Sequence, residues 1–178
     1  MAIETTTQAL PPAALHELKA WLRIDTAQED TLLFAQIRAA VDMAGRFMGQ
    51  PLLATDCAEE IPATTGWQRL SMGGVLSITA ALNAADDSAL PPSAWEMDID
   101  LHGAGWVRLA SLSVPEGAER IRILYRAGLA RNWDTVPEAM RQGVIRYAAH
   151  LYATRDVADA SPPAAVTAFW RPWKRVAL

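Results

Sequence analysis

The side chains most capable of chemistry in this sequence are carboxylates that occur in close pairs. Asp98 and Asp100 fall on one face of a predicted strand, and Asp86 and Asp87 fall in a predicted turn. Either pair could bind a cation through its oxygens, but solvated acidic side chains explain both pairs more simply. The sequence therefore predicts no metal site and no cofactor.

The nucleophilic residues lack the surroundings that would activate them. Cys57 lies in the acidic stretch 56–60, which would raise the pKa of its thiol, and as the single cysteine it excludes an internal disulfide and a multi-cysteine zinc cluster. Ser71 and Ser77 lack the Gly-x-Ser-x-Gly pattern. His16 shares no metal-ligand spacing with another ligand, so we expect it at the surface. A catalytic constellation is absent, and the sequence predicts that the chain is not an enzyme.

The most unusual cluster of side chains lies near the C-terminus, where three large aromatic residues and three basic residues lie within seven positions. Terminal segments of ordinary domains usually fray, so such a segment needs a surface against which it can be buried. Three surfaces are possible: its own domain, a partner subunit, or a nucleic acid on whose bases the aromatic rings stack. The residues concerned are Phe169, Trp170, Arg171, Trp173, Lys174 and Arg175.

Charge is unevenly distributed along the 178 residues. Counting Lys and Arg against Asp and Glu gives a net charge of −5 for residues 1–60, −4 for residues 61–107 and +5 for residues 108–178. This asymmetry fits an end that faces nucleic acid. It also fits a subunit whose basic flank meets the acidic flank of an identical neighbour.

Two helices joined by a short turn must position the N-terminal part of the chain. Apolar residues recur three and four positions apart in the second helix, which predicts one buried face. Thr26 and Glu29 have the spacing of a capping box at its start, and Gly49 with Pro51 predicts its end. The buried face comprises Leu33, Ile37, Ala40, Val41, Ala44 and Met48.

A third long helix follows Pro137, with Thr135 and Glu138 again at capping-box spacing. Its apolar face predicts that it closes over the first two helices. Trp21 of the first helix is expected in this shared scaffold. The predicted helices span residues 13–24, 27–48 and 136–155.

Between these helices, residues 52–128 change to short alternating runs separated by turn-forming residues. Residues 95–101 and 120–125 each carry one apolar and one charged face, as a sheet with one solvated face requires. The predicted fold class is α+β and mainly helical. It consists of a helix bundle, a small inserted antiparallel β-region and an extended or short-helical C-terminal tail.

The length fits one domain, which we place at residues 13–155 after a loose lead-in at residues 1–12 and before a linker and docking tail at residues 156–178. No apolar run approaches the roughly 20 residues that a membrane-spanning helix needs. The N-terminus also lacks the pattern of a secretory signal. We therefore expect a protein that is cytosolic or assembled from the cytosol, with no membrane partner.

The order of these segments resembles the head-tail connector, or adaptor, family of long-tailed bacteriophages, prophages and gene transfer agents. The resemblance begins at residues 18–25 and 28–33 and continues through the helix end at residues 48–52. Residues 121–128 resemble the family's strand with its Tyr-x-Ala-Gly turn. Residues 136–152 resemble the following helix, and residues 170–176 resemble its short aromatic and basic C-terminal motif.

The resemblance implies a structural protein of a virion or phage-like particle. It implies a ring, commonly of twelve subunits, that binds the portal protein, meets a stopper or tail-side connector, and leaves a channel for DNA. We expect the C-terminal motif, Phe169 to Arg175, to bind the portal. Arg120, Arg122 and Arg126 are expected to contact an acidic patch on the neighbouring subunit. The alternative is a nucleic-acid-binding module that uses the basic C-terminal third of the chain.

Overall fold

The computed structural model of the chain describes residues 3–6, 10–111, 119–154 and 161–175. The chain forms two compact units. The β unit comprises Met1–Gln8 and Ala54–Leu129, and the helical unit comprises Ala9–Leu53 and Ala130–Leu178. Helices account for 39% and strands for 31% of the structure, so the prediction of a mainly helical bundle was wrong. The β-region is no small insertion, because its strands form two sheets with a hydrophobic core of their own.

In the part of the chain that the structure describes, the helical unit contains four α-helices. The three predicted long helices are present with slightly different ends, and a short fourth helix lies in the C-terminal segment. They are α1 (Pro12–Leu22), α2 (Asp30–Met48), α3 (Glu138–Ala153) and α4 (Ala164–Trp170). Residue 155, the last of the predicted third helix, lies outside the described residues.

The buried face predicted for α2 is confirmed, since all six of its apolar residues are buried. Gly49 ends the helix with φ of 75°, and its N–H donates to the carbonyl of Gly45 at 3.0 Å. A left-handed residue at this position is the usual way in which a helix satisfies its last carbonyls, and glycine adopts it without steric cost. The predicted end of the helix is therefore confirmed.

Both predicted capping boxes were wrong. Glu29 and Pro137 occupy the N-cap positions of α2 and α3, and neither helix has a side-chain cap. Glu29 instead accepts a hydrogen bond from the Tyr152 hydroxyl at 2.6 Å. Thr135 belongs to a reciprocal capping box with Asn132, at the start of the 3-10 turn Trp133–Thr135. The hydrogen bonds of Glu29 with Tyr152 and of Thr135 with Asn132 replace the capping contacts that the local spacing predicted.

Trp21 was expected in the buried scaffold, and this prediction was wrong. Its side chain is 49% exposed. The buried residues of α1 are Ala14, Leu15 and Leu18, so the inward face of the helix ends one turn before Trp21. The indole lies instead against the guanidinium of Arg146 on α3.

Seven strands form the two antiparallel sheets of the β unit. The first sheet has the order β1-β2-β7-β4, and the second has the order β3-β6-β5. The strands are β1 (Ile3–Thr6), β2 (Thr55–Pro62), β3 (Gln68–Gly73), β4 (Val75–Asn83), β5 (Trp95–Ile99), β6 (Ala104–Leu109) and β7 (Arg120–Ala127).

Two strands of the first sheet were absent from the sequence interpretation. Residues 3–6, expected in a loose lead-in, pair with β2 as an edge strand. β2 then pairs with β7 along its whole length, from Thr55 opposite Ala127 to Pro62 opposite Arg120. The adjacent carboxylates of β2 concealed its alternation, because one of them, Glu59, faces inward.

The predicted alternation holds for β7 and fails for β5. Ile121, Ile123 and Tyr125 of β7 are buried in the core of the β unit. On β5, however, Met97 and Ile99 are exposed although they form the predicted apolar face. The reason is position, since β5 lies at the edge of its sheet.

Candidate interaction surfaces

The C-terminal segment, residues 164–175, packs on the helical unit of its own chain. Trp170 is fully buried. Its ring meets Tyr147 edge-on at a centroid distance of 5.8 Å and tilts against Phe47 at 5.9 Å. Burial of so large an aromatic side chain dominates the energetics of such a contact. Trp170 is therefore a core residue of this unit.

A close approach between helices makes room for this tryptophan. A Cβ atom added at Gly143 of α3 would lie 2.9 Å from Cδ1 of Trp170 and nearer still to Nε1. Any larger residue at position 143 would displace the indole. Nε1 is buried and has no hydrogen-bond partner among the described residues, which is the cost of fitting the ring here.

The last described residues are fixed to the end of α2. The backbone N–H of Arg175 donates to the carbonyl of Met48 at 2.9 Å, and its guanidinium donates to Oε1 of Gln50 at 3.2 Å. Lys174 lies over the ring of Phe47, 5.4 Å from its centroid. The segment thus satisfies a carbonyl that the helix end leaves free.

Trp21, Arg146 and Phe169 form what we call the aromatic–cationic cluster. The Arg146 guanidinium lies 5.2 Å from the ring of Trp21 and 4.9 Å from the ring of Phe169. These residues come from α1, α3 and α4, so three helices meet at this surface. Arg146 is exposed and has no carboxylate partner among the described residues.

The structure therefore separates the six residues of the predicted portal-binding motif. Trp170 is buried within its own chain, whereas Arg171 and Lys174 are exposed. Phe169, Trp173 and Arg175 are partly buried. Of the three surfaces considered for this segment, its own domain provides the contacts of Trp170. The exposed cations remain accessible to a partner.

Arg120, Arg122 and Arg126 project from the solvated face of β7, where acidic side chains of the same chain meet them. Arg126 lies 2.9 Å from Asp56, and Arg122 lies 2.8 Å from Glu60. Arg122 also contacts Asp87, and Arg120 contacts Glu60.

The hydrogen bond from Arg122 is the main reason that the pKa of Glu60 lies below its ordinary value. These cross-strand pairs neutralise much of the face on which the inter-subunit contact was expected.

The sequence interpretation missed a buried polar network around Glu59. This carboxylate is fully buried in the β unit and accepts hydrogen bonds from Ser71 and Tyr125. The Ser71 hydroxyl lies 2.6 Å and the Tyr125 hydroxyl 2.9 Å from its oxygens, and the Ser71 N–H is 3.0 Å away. The network joins β2 and β7 of one sheet to β3 of the other.

The network around Glu59 is better suited to holding the two sheets together than to catalysis. Burial, followed by the charges of Asp56 and Glu59, raises the pKa of the Cys57 thiol to about 11, so little nucleophilic thiolate forms near neutral pH. Burial and Glu59 likewise raise the pKa of Tyr125. All three donors to Glu59 are used within the core, and this fixes the packing of the two sheets.

Three of the four carboxylates considered for cation binding, Asp86, Asp87 and Asp100, are engaged in local contacts. Oδ1 of Asp100 accepts backbone N–H bonds from His102 and Ala104 at 2.8 and 2.9 Å, and these bonds shape the β5–β6 turn. The bond from Ala104 is the main cause of the lowered pKa of Asp100. Asp86 accepts bonds from Ser88 in the same way. Among the described residues no group of three His, Cys, Asp or Glu side chains is placed to hold a metal ion.

The two units, one of helices and one of antiparallel sheets, together define an α+β fold. Residues 12–70 match the family model described as "Phage gp6-like head-tail connector protein". No curated protein matches the chain at a significant level. In the part of the chain that the structure describes, no helix is long and apolar enough to cross a membrane.

Solved structures of gene transfer agent (GTA) particles share the fold. A chain in the neck of an empty GTA particle computed with C6 symmetry matches with a TM-score of 0.77 and 24% identity. A chain in the virion of a native GTA particle matches with a TM-score of 0.75 and 23% identity. A chain in the neck of a native GTA particle computed with C12 symmetry matches with a TM-score of 0.75 and 24% identity. Each match covers 100% of this chain and 97% of the other.

These comparisons confirm the resemblance to the head-tail connector family, through the family model in the first third of the chain and through the fold over its whole length. The family model is that of a head-tail connector protein, and two of the three solved structures are particle necks.

Proposed function

We propose that this chain is a structural subunit of a ring at the head-tail junction of a phage-like particle. The observation that carries the proposal is the combined match, in which a connector family model covers residues 12–70 and a particle-neck fold covers the complete chain. The neck structures that it matches were computed with C6 and C12 symmetry, which supports an oligomeric ring. A ring of twelve subunits with an open channel for DNA is the form of the proposal.

Within this ring, the exposed basic residues of the C-terminal segment bind the portal protein. Arg171 and Lys174 are exposed, while the neighbouring Trp170 anchors the segment on the helical unit. A rigid support lowers the entropic cost of presenting these cations to an acidic surface. The tail-side partner is a stopper or a second connector protein, and assembly takes place in the bacterial cytoplasm before the particle is complete.

The three arginines of β7 have a narrower role than the sequence predicted. Because Arg120, Arg122 and Arg126 already have carboxylate partners in their own chain, we propose that they contribute to a subunit contact only by sharing those carboxylates. We therefore expect reversal of all three charges to lower the stability of the β unit. Any loss of assembly should follow from that lower stability.

The nucleic-acid-binding alternative receives no support from the fold match. The cations of the basic C-terminal third are spread over ion pairs, aromatic contacts and the C-terminal segment. Specific or tight nucleic-acid binding needs several phosphate contacts on one surface.

Removal of this chain from cells that produce the particle tests the proposed function. DNA-filled heads and separate tails should accumulate, and expression of the wild-type chain should restore tailed particles. Tailed, DNA-filled particles that form normally without this chain would refute the proposal.

For portal binding, the variant R171E/K174E should attach to heads more weakly than the matched control R131E, which reverses another exposed arginine of the helical unit.

A further inference from the structure

The edge strand β5 carries a row of apolar side chains that its own chain leaves uncovered. Met97 is 53% exposed, Ile99 is 37% exposed, and Leu101, at the turn that follows, is fully exposed. We call these three residues the apolar row. Single exposed apolar residues are ordinary, but three at alternate positions form a continuous patch, which marks an interaction surface.

The register of the sheet explains why the apolar row is exposed. Met97 lies opposite Val107 of β6, and Ile99 lies opposite Gly105, so each pair shares one face of the sheet. Val107 and Gly105 are buried, whereas their partners on β5 extend past the end of the core. Among the described residues β5 pairs only with β6, and its outer edge carries free backbone donors and acceptors.

The surroundings of the apolar row are acidic. The β unit has five basic and eleven acidic residues, a net charge of −6. On β5 itself, Glu96 pairs with Arg108 at 2.6 Å, and Asp100 accepts the turn hydrogen bonds. Asp98 has no hydrogen-bond or ion-pair partner among the described residues.

The aromatic–cationic cluster has the complementary chemistry. Trp21 is half exposed, Phe169 is partly exposed, and Arg146 between them lacks a carboxylate partner in the described chain. The helical unit has eleven basic and nine acidic residues, a net charge of +2. Apolar contact area and charge thus favour contact between the β unit of one molecule and the helical unit of another.

We propose that the apolar row of one subunit docks on the aromatic–cationic cluster of a second copy of this chain. Leu101 and Ile99 contact the rings of Trp21 and Phe169. Asp98 lies on the opposite face of β5, opposite Trp106, and its unpaired charge attracts Arg146 at longer range. The inference rests on the proposed ring, for which it names the contact between neighbours. Because the two surfaces differ, a docked pair of subunits still offers one free surface of each kind, and the contact can repeat around a closed ring.

Cross-linking on loaded heads tests the contact. Cys57 is 3% exposed and its thiol pKa is raised, so it should react little with a maleimide. Introduced cysteines can therefore be cross-linked selectively. One variant carries L101C, and a second carries A168C, an exposed position beside Phe169. Heads that carry the portal are loaded with an equal mixture, treated with a short bis-maleimide and separated on a denaturing gel.

The expected product is a covalent dimer from the L101C and A168C mixture. The matched control replaces A168C by A39C, an exposed alanine on the solvated side of α2, and should give about a tenth of that dimer or less. Addition of R146E to the A168C chain should lower the yield about tenfold, since it replaces a positive charge that the acidic β unit attracts by a negative charge that it repels.

Equal dimer yields from the A168C and A39C mixtures would overturn the inference, and so would no dimer from either. Dimers from L101C alone would show instead that two β5 edges pair with each other. Loading of wild-type protein onto heads is measured separately. Heads that load normally without the predicted cross-link refute this contact alone, whereas heads that fail to load wild-type protein refute the proposed function.

Discussion

At the scale of single residues, the close contact between Gly143 and Trp170 makes the sharpest prediction. G143A should destabilise the helical unit by about 1 to 3 kcal/mol, because the added methyl group displaces a fully buried indole. Helix propensity alone would predict the opposite sign, a gain of about 1 kcal/mol. Urea denaturation followed by tryptophan fluorescence measures the difference. The control is G66A, since a Cβ at Gly66 meets nothing within 4 Å; a G143A chain as stable as this control would contradict the packing.

The buried network makes a second prediction at this scale. Y125F removes one donor to the buried Glu59 carboxylate and should lower the free energy of unfolding by about 1.5 to 3 kcal/mol. S88A, which removes an exposed hydroxyl bonded to Asp86, should change it by less than about 0.5 kcal/mol. Comparable losses in the two variants would show that Glu59 does not depend on its buried donors.

The titration of the Cys57 thiol predicts how the free energy of unfolding changes with pH in the alkaline range. Its thiol pKa is about 11 in the folded chain against an ordinary value of 9.0, so between these values the folded state binds more protons than the unfolded state. The free energy of unfolding therefore falls as pH rises from 9 to 11, by roughly 3 kcal/mol at most. C57A should lose less stability over this range in urea denaturation at a series of pH values. Parallel curves for wild type and C57A would contradict this origin of the pH dependence.

At the scale of elements, the starts of the 3-10 turn Trp133–Thr135 and of α2 predict different effects of two substitutions. N132A should cost about 1 kcal/mol, because Asn132 and Thr135 cap the 3-10 turn reciprocally. T26A, at the position expected to cap α2, should be nearly neutral, because α2 begins at Asp30 with no side-chain cap. Thermal denaturation of both variants distinguishes the observed caps from those expected from the sequence, and a larger loss for T26A would contradict the structure.

The same scale shows what the sequence could predict. Periodicity identified α2 and its buried face because Leu33, Ile37 and Met48 meet one continuous core. It failed for β2, where burial of Glu59 depends on donors from distant strands that no local pattern reveals. It failed for Trp21 and β5 because an apolar face indicates which side of an element could be buried, whereas the neighbours decide how far burial extends. The aromatic residues of the C-terminal segment predict burial against some surface, but the contacts of Trp170 with Phe47 and Tyr147 depend on the tertiary fold.

At the scale of the whole molecule, the β unit and the helical unit differ in charge as well as in fold. A net charge of −6 on one unit and +2 on the other favours association between unlike units of neighbouring molecules. Such heterologous contacts generate rings when the rotation between neighbours closes. The exposed apolar row and the aromatic–cationic cluster then serve a purpose that neither has within one chain.

This association should depend on salt. Loading of the wild-type chain onto heads is expected to weaken as the salt concentration rises, since exposed charges are screened over about 10 Å at 0.1 M. The variant D98N should weaken loading at low salt and show a smaller further loss at high salt. Sedimentation of heads with bound protein measures both. Salt-independent loading of wild type, or an unchanged salt dependence in D98N, would contradict an electrostatic contribution from Asp98.

The central claim is that this chain forms a ring in the particle neck, and a three-dimensional reconstruction of particles recovered from cells that produce them tests it most directly. We expect a ring between head and tail into which the β unit and helical unit of this chain fit, with β5 of each subunit facing the helical unit of the next. A neck reconstruction in which no ring accommodates these two units would contradict this claim.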